Sequence, residues 1–151
     1  MIKKFLANPY LLFLLRIFLG FIFIYSGFIK IIDAQSFSNS ILNYKLLPEF
    51  LINFLAIILP WVELITGLLL LFGIAVKENA FIINLLLAVF IIAITINIIR
   101  GLDINCGCFG TKSGTKIGAA KLLENGFLFL IGILLMIYDS KIFILHSDKT
   151  Q

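Results

Sequence analysis

The chain contains two cysteines, and they stand two apart in Asn105-Cys106-Gly107-Cys108-Phe109-Gly110. Residues at i and i+2 lie at most about 7 Å apart at Cα. A disulfide needs about 4.4–6.8 Å, so Cys106 and Cys108 can bridge. Gly107 supplies backbone freedom that a side chain would deny to so small a ring. Strain in such a ring makes the bridge easier to reduce. The bridge closes almost no loop and so adds little stability through chain entropy. It suits exchange better than stapling. Arg100, Lys112 and Lys116 are close in sequence and favour the thiolate, which is the attacking species. Two other uses stay open, capture of a soft ion such as Cu(I) or Hg(II) and an inert structural pair. Structural zinc takes four Cys or His ligands. Two thiols and one histidine, His146, do not complete such a site, so no metal centre is assigned and His146 reads as solvated.

The elements that must position this pair read as membrane. Charged residues make up 13% of the chain and hydrophobic residues 62%. A soluble domain carries about 25% and about half. There are too few charges to coat a soluble globule, so the surplus apolar surface faces lipid. Crossing the hydrocarbon core takes about 20 mainly apolar residues, and four stretches qualify, about 10–32, 50–73, 79–99 and 121–138. Their runs of Ile and Phe favour strands in water. In lipid every backbone group must be bonded within its own helix or in a closed barrel. The runs do not alternate, which excludes a barrel. The fold class is therefore an all-α integral membrane protein, a four-transmembrane-helix bundle, with one domain over residues 1–151.

The amino-terminal stretch reads as a spanning helix rather than a cleaved signal, because a signal's apolar region runs about 7–15 residues. Between the first two spans, Phe37, Ile41, Leu42 and Tyr44 fit a short amphipathic helix on the membrane surface. Residues 73–78 make a tight turn, and residues 101–120 hold the cysteines in a polar, glycine-rich break. Basic residues are nearly balanced between the two faces, with Lys3, Lys4, Lys77 and Lys141 on one and Lys45, Arg100, Lys112, Lys116 and Lys121 on the other. The positive-inside rule is close to a tie. The orientation adopted has cytoplasmic termini in a bacterial inner membrane and a periplasmic cysteine loop. The net charge of +4 is scattered at segment ends, which argues against nucleic acid. No glycine-rich phosphate loop precedes a helix.

Ionisable groups inside a span are expensive and are functional candidates by default. Arg16 lies about 9 Å into the first span and Glu63 about 15 Å from the cytoplasmic end of the second, at about 1.5 Å per residue. The expectation is an Arg16–Glu63 ion pair that locks these two helices, with proton handling by Glu63 as the functional alternative. Lys30, near the outer end of the first span, is expected at the headgroups, with a place beside the cysteines as the alternative. Asn84, Thr95 and Asn97 are expected to bond between helices, and Asn97 is the best of them as a site residue. Pro60 is expected to kink the second span. Trp61 reads as packing rather than a quinone platform. Gly20, Gly27, Gly67 and Gly73 are expected to permit close helix approach.

The chain resembles the MauE/DoxX group of redox-associated membrane proteins over about residues 14–138. The resemblance rests on Leu15-Arg16-Ile17-Phe18-Leu19-Gly20, Ser26-Gly27-Phe28-Ile29-Lys30 and Tyr44-Lys45-Leu46-Leu47-Pro48. It continues through Leu59-Pro60-Trp61-Val62-Glu63 and Gly67. Its most specific block runs from Arg100 to Gly110 and contains the cysteine pair. The resemblance implies a four-helix membrane protein with a periplasmic cysteine loop and a role in making or managing disulfides in exported proteins, as in methylamine utilisation. It also ties relatives to quinol-linked chemistry. Membrane thiol oxidases of the quinone-linked type often use a second cysteine pair, which this chain lacks. Electrons would then reach the acceptor directly or through another protein.

The expected function is thiol–disulfide redox chemistry at Cys106 and Cys108, with Gly107, Arg16, Lys30, Glu63, Asn97 and Arg100 in support. No covalently bound cofactor is expected. A quinone is the candidate electron acceptor, and a thioredoxin-like or exported cysteine-containing protein is the candidate partner. The alternatives are a transporter or soft-metal carrier and a non-catalytic assembly partner.

Overall fold

The computed structural model describes residues 8–43, 48–101 and 119–138. Within them the chain forms five helices, α1 (Pro9–Ile32), α2 (Ala34–Asn43), α3 (Glu49–Phe72), α4 (Val76–Ile99) and α5 (Ala119–Ile137). No strand occurs among the described residues. α1, α3, α4 and α5 are the four helices long and apolar enough to cross a membrane, and the protein is an integral membrane four-helix bundle. The spans read from the sequence fall on these helices to within a few residues.

The helix ends follow from local chemistry. The Asn8 side chain accepts from the Tyr10 amide at 3.1 Å, and Pro9 stands at the first helical position, where its missing N–H costs nothing. At the next corner the Asp33 carboxylate accepts from the Ser36 amide at 3.2 Å and starts α2. α3 ends on Gly73 at φ 71°, with the Gly73 amide donating to the Leu70 carbonyl and the Ile74 amide to that of Leu69. This left-handed ending is a Schellman cap. Gly73 therefore terminates a helix. Ala75 is also left-handed, at φ 45°. The buried Asn79 braces that turn by donating to the carbonyls of Ile74, at 2.8 Å, and Ala75, at 3.0 Å. α4 thus begins at Val76, three residues before its expected start.

The bundle is built from two antiparallel pairs, α1 with α3 and α4 with α5, with α2 packed mainly on α3. α1 buries Leu12, Arg16, Leu19, Gly20, Phe23, Ser26, Gly27 and Lys30, spaced three and four apart as one helix face requires. An apolar core drawn from α1, α3, α4 and α5 includes Leu19, Phe23, Leu70, Ile83, Leu87 and Leu135. Large apolar side chains such as Phe21, Phe54, Ile65, Ile92 and Leu130 point outward, where lipid takes the place of water.

In this topology the end of α1, α2, the start of α3, the end of α4 and the start of α5 share one end of the bundle. Residues 102–118 join α4 to α5 in the sequence. Cys106, Gly107 and Cys108, and the basic residues Lys112 and Lys116, lie outside the described residues, as do Tyr44 and His146.

Candidate functional site

Three glycines bring α1 and α3 together. A Cβ on Gly20 would stand 2.9 Å from the Gly67 carbonyl oxygen, and one on Gly67 would stand 2.9 Å from that of Gly20. At Gly27 a Cβ would meet the Pro60 carbonyl oxygen at 2.7 Å and the Leu64 amide nitrogen at 2.9 Å. The obstacles are backbone, so any side chain at these points would force the helices apart. α3 continues through Pro60, whose missing N–H leaves the Ala56 carbonyl without its helical donor.

This register sets which charges meet. Ser26 and Lys30 are one turn apart on the same face of α1, opposite Glu63. The Lys30 ammonium donates to both Glu63 oxygens, at 2.6 Å to Oε1 and 2.8 Å to Oε2, and the Ser26 hydroxyl donates to Oε2 at 3.2 Å. Lys30 is 2% exposed and Glu63 1%. The Lys30 Nζ also lies 5.0 Å from the Phe37 ring centroid on α2 and 4.8 Å from that of Phe90 on α4, within the range of cation–π attraction.

Lys30 therefore does not reach the headgroups. Side chains on a helix tilt towards its amino terminus, and that tilt carries the ammonium back into the bundle, where Glu63 receives it. The expected Arg16–Glu63 pair does not form. Arg16 is buried ten residues before Ser26, about 15 Å along α1, and its guanidinium carbon lies 5.1 Å from the Phe13 ring centroid. The expectation failed on register, because depth counted from helix ends does not anticipate where glycine contacts fix two helices. A signal was present. Lys30 continues the stripe of Gly20, Phe23 and Gly27 at three- and four-residue spacing, which marks it as inward-facing.

The polar residues of α4 divide. The amide of Asn84, on α4, faces α5 beside Gly132, where a Cβ would come within 2.9 Å of each Asn84 terminal atom. In the orientation that satisfies both its ends, the Asn84 amide donates to the Phe129 carbonyl at 3.2 Å and accepts from the Ile133 amide at 3.0 Å. Asn84 thus bonds between helices as expected. Thr95 and Asn97 do not, since they donate to the carbonyls of Ile91 and Ala93 in their own helix, each at 2.7 Å. The Asn97 side chain is fully buried, and its Oδ1 accepts no hydrogen bond among the described residues. Arg100 is exposed at the end of α4. Trp61 is half-exposed on the outer face of α3. No cluster of three or more His, Cys, Asp or Glu suited to a metal occurs among the described residues.

A profile of the family described as "Methylamine utilisation protein MauE" matches residues 8–138, all four spans. The chain belongs to the MauE family. It is similar to the methylamine utilization protein MauE of Paracoccus denitrificans, with 33% identity over 134 residues, covering 88% of this chain and 71% of that protein. The protein of that name from Methylorubrum extorquens is 34% identical over 117 residues, covering 77% of this chain and 62% of the relative. The MauE-family chain thus spans about two thirds of the length of these relatives. No solved structure matches it.

Proposed function

We propose that this MauE-family protein is a membrane-embedded thiol–disulfide redox protein that uses Cys106 and Cys108 to support disulfide formation or maturation in exported proteins. The observation that carries this reading is the Cys106-Gly107-Cys108 pair itself, the chain's two thiols in one short connection between spans. That connection joins α4 to α5 at the Lys30 end of the bundle. Relatives named for methylamine utilisation support a place in the maturation of proteins for such a pathway. The orientation that suits the chemistry puts the cysteine connection on the periplasmic side of a bacterial inner membrane.

In this reading a substrate thiolate attacks one sulfur of the Cys106–Cys108 bridge. An S–S bond forms to the substrate, and the other cysteine leaves as thiolate. A second substrate thiolate then displaces the bound cysteine, which releases an oxidised substrate and a reduced pair. The two electrons and two protons pass on to an acceptor, a quinone or the disulfide of a thioredoxin-like partner, and the bridge reforms. The chain has no second pair, so electrons leave Cys106 and Cys108 directly to the acceptor or through another protein.

Alkylation trapping in intact membranes tests this, with and without a quinone-pool inhibitor. A Cys106/Cys108 redox state that follows the pool or a thioredoxin-like partner, with mixed disulfides accumulating in Cys106→Ser or Cys108→Ser, supports the reading. Thiols that are always reduced and are protected by Cu(I) overturn it in favour of a metal carrier. A permanent bridge without adducts overturns it in favour of an inert pair.

A further inference from the structure

At the Lys30 end one ammonium group touches both helix pairs of the bundle. Lys30 on α1 is held by Glu63 on α3, and Phe37 of α2 and Phe90 of α4 set their rings about it. A single buried cation thus touches four of the five described helices. α1 and α3 do not need it to associate, because the contacts at Gly20, Gly67 and Gly27 already bring their backbones together. The apolar core that ties α1 and α3 to α4 and α5 is drawn from residues such as Leu19, Leu70, Ile83 and Leu135 and includes neither Lys30 nor Glu63. What the ammonium adds is a contact from the α1–α3 pair to α2 and to Phe90, just past the middle of α4.

We propose that Lys30 and Glu63 are positioning residues. Their ion pair fixes α2 and the second half of α4, from Phe90 onward, relative to α1 and α3, and so sets the reactivity of the thiols in the connection that α4 feeds. The second half of this claim rests on the thiol-exchange reading; the first does not. The charge matters for a physical reason. An apolar side chain at position 30 would fill space, but it would lose the directional bonds to Glu63 and the attraction of both rings for a cation.

Lys30→Met with Glu63→Leu removes both charges of the pair together and leaves neither partner uncompensated. Two arms are read. In a Cys106→Ser/Cys108→Ser background, spin labels at Asn39→Cys and Ile99→Cys, both exposed, report the α2–α4 distance. With the native thiols, the rate of Cys106/Cys108 alkylation is followed against pH. The double variant is expected to broaden the distance distribution and to shift the alkylation rate by about 2- to 30-fold, the range of coupling between linked sites. Lys30→Arg, which keeps the cation, is expected to retain both wild-type readings. Phe37→Leu and Phe90→Leu keep the ion pair and serve if the double variant does not fold; each is expected to move the same two readings by less. Unchanged distances overturn the proposal. Changed distances with unchanged alkylation overturn its thiol half. Wild-type thiols that never exchange defeat the thiol-exchange reading instead, while the distance arm still decides whether the pair couples the helices.

Discussion

The two helix pairs handle burial of polar groups in opposite ways. Among the described residues, every buried ionisable side chain, Arg16, Lys30 and Glu63, lies on α1 or α3, and every buried amide, Asn79, Asn84, Asn97 and Asn125, lies on α4 or α5. Both pairs use glycine at the contact, to different ends. Gly20, Gly67 and Gly27 let backbone meet backbone, whereas Gly132 makes room for the Asn84 side chain. The charged half gains a strong bond that depends on two residues being present together. The amide half gains weaker bonds, several of them made by an asparagine to its own helix, as with Asn97 to Ala93 and Asn125 to Lys121. The first arrangement can couple distant elements. The second acts within a helix or, at Asn84, ties α4 to α5 alone.

The largest effect that separates the halves comes from splitting the ion pair. Lys30→Met alone leaves the Glu63 charge buried, and thermal unfolding in detergent should show a loss of about 3–5 kcal/mol, most of it recovered on adding Glu63→Leu. If Asn84→Ala costs as much as Lys30→Met, the contrast between the halves fails. Next come the glycines. Gly27→Ala forces backbone apart and should cost about 1–3 kcal/mol. Gly126→Ala, where a Cβ meets nothing within 4 Å, should be neutral or slightly stabilising. Equal losses at the two positions would show that helix approach at Gly27 is not tight.

A smaller effect tests the amide half. Asn84→Ala should cost about 0.6–1.7 kcal/mol, the span measured for hydrogen bonds between membrane helices. Gly132→Ala should be better tolerated once Asn84 is alanine, because the obstacle is that side chain. Additive losses in a double-mutant cycle would break the link between the two residues. Least in size, Ala75→Gly should raise stability by about 1 kcal/mol by relieving a left-handed alanine, read as an upward shift of the unfolding midpoint.

The four spans were legible because apolar length alone decides them. Lipid excludes strands that do not close, so the β-propensity of the Ile and Phe runs did not mislead. The amphipathic character of residues 37–42 was also legible, although Phe37 turns into the bundle over Lys30 rather than resting on a lipid surface. The partner of Glu63 was not legible from depth. Arg16 and Lys30 stand about 21 Å apart along α1, far more than a turn of error in a helix end, so what depth counting misses is how the two helices are offset and which faces meet. The glycine stripe held the missing register, since Gly20–Gly67 and Gly27–Pro60 fix which residues face each other. The intrahelical bonds of Thr95 and Asn97 could not be separated from interhelical ones by residue type, because the same donors serve both.

The ion pair also constrains the order of events in biosynthesis. Lys30 and Glu63 are 33 residues apart, so the ribosome delivers the first span, with two cations, before the carboxylate exists. Lys30 lies two residues from the end of α1, close enough for its ammonium to wait among lipid headgroups. Only when the second hydrophobic segment arrives can the side chain turn inward and exchange water for Glu63. The buried pair is thus a bond that can close only after both helices have been inserted.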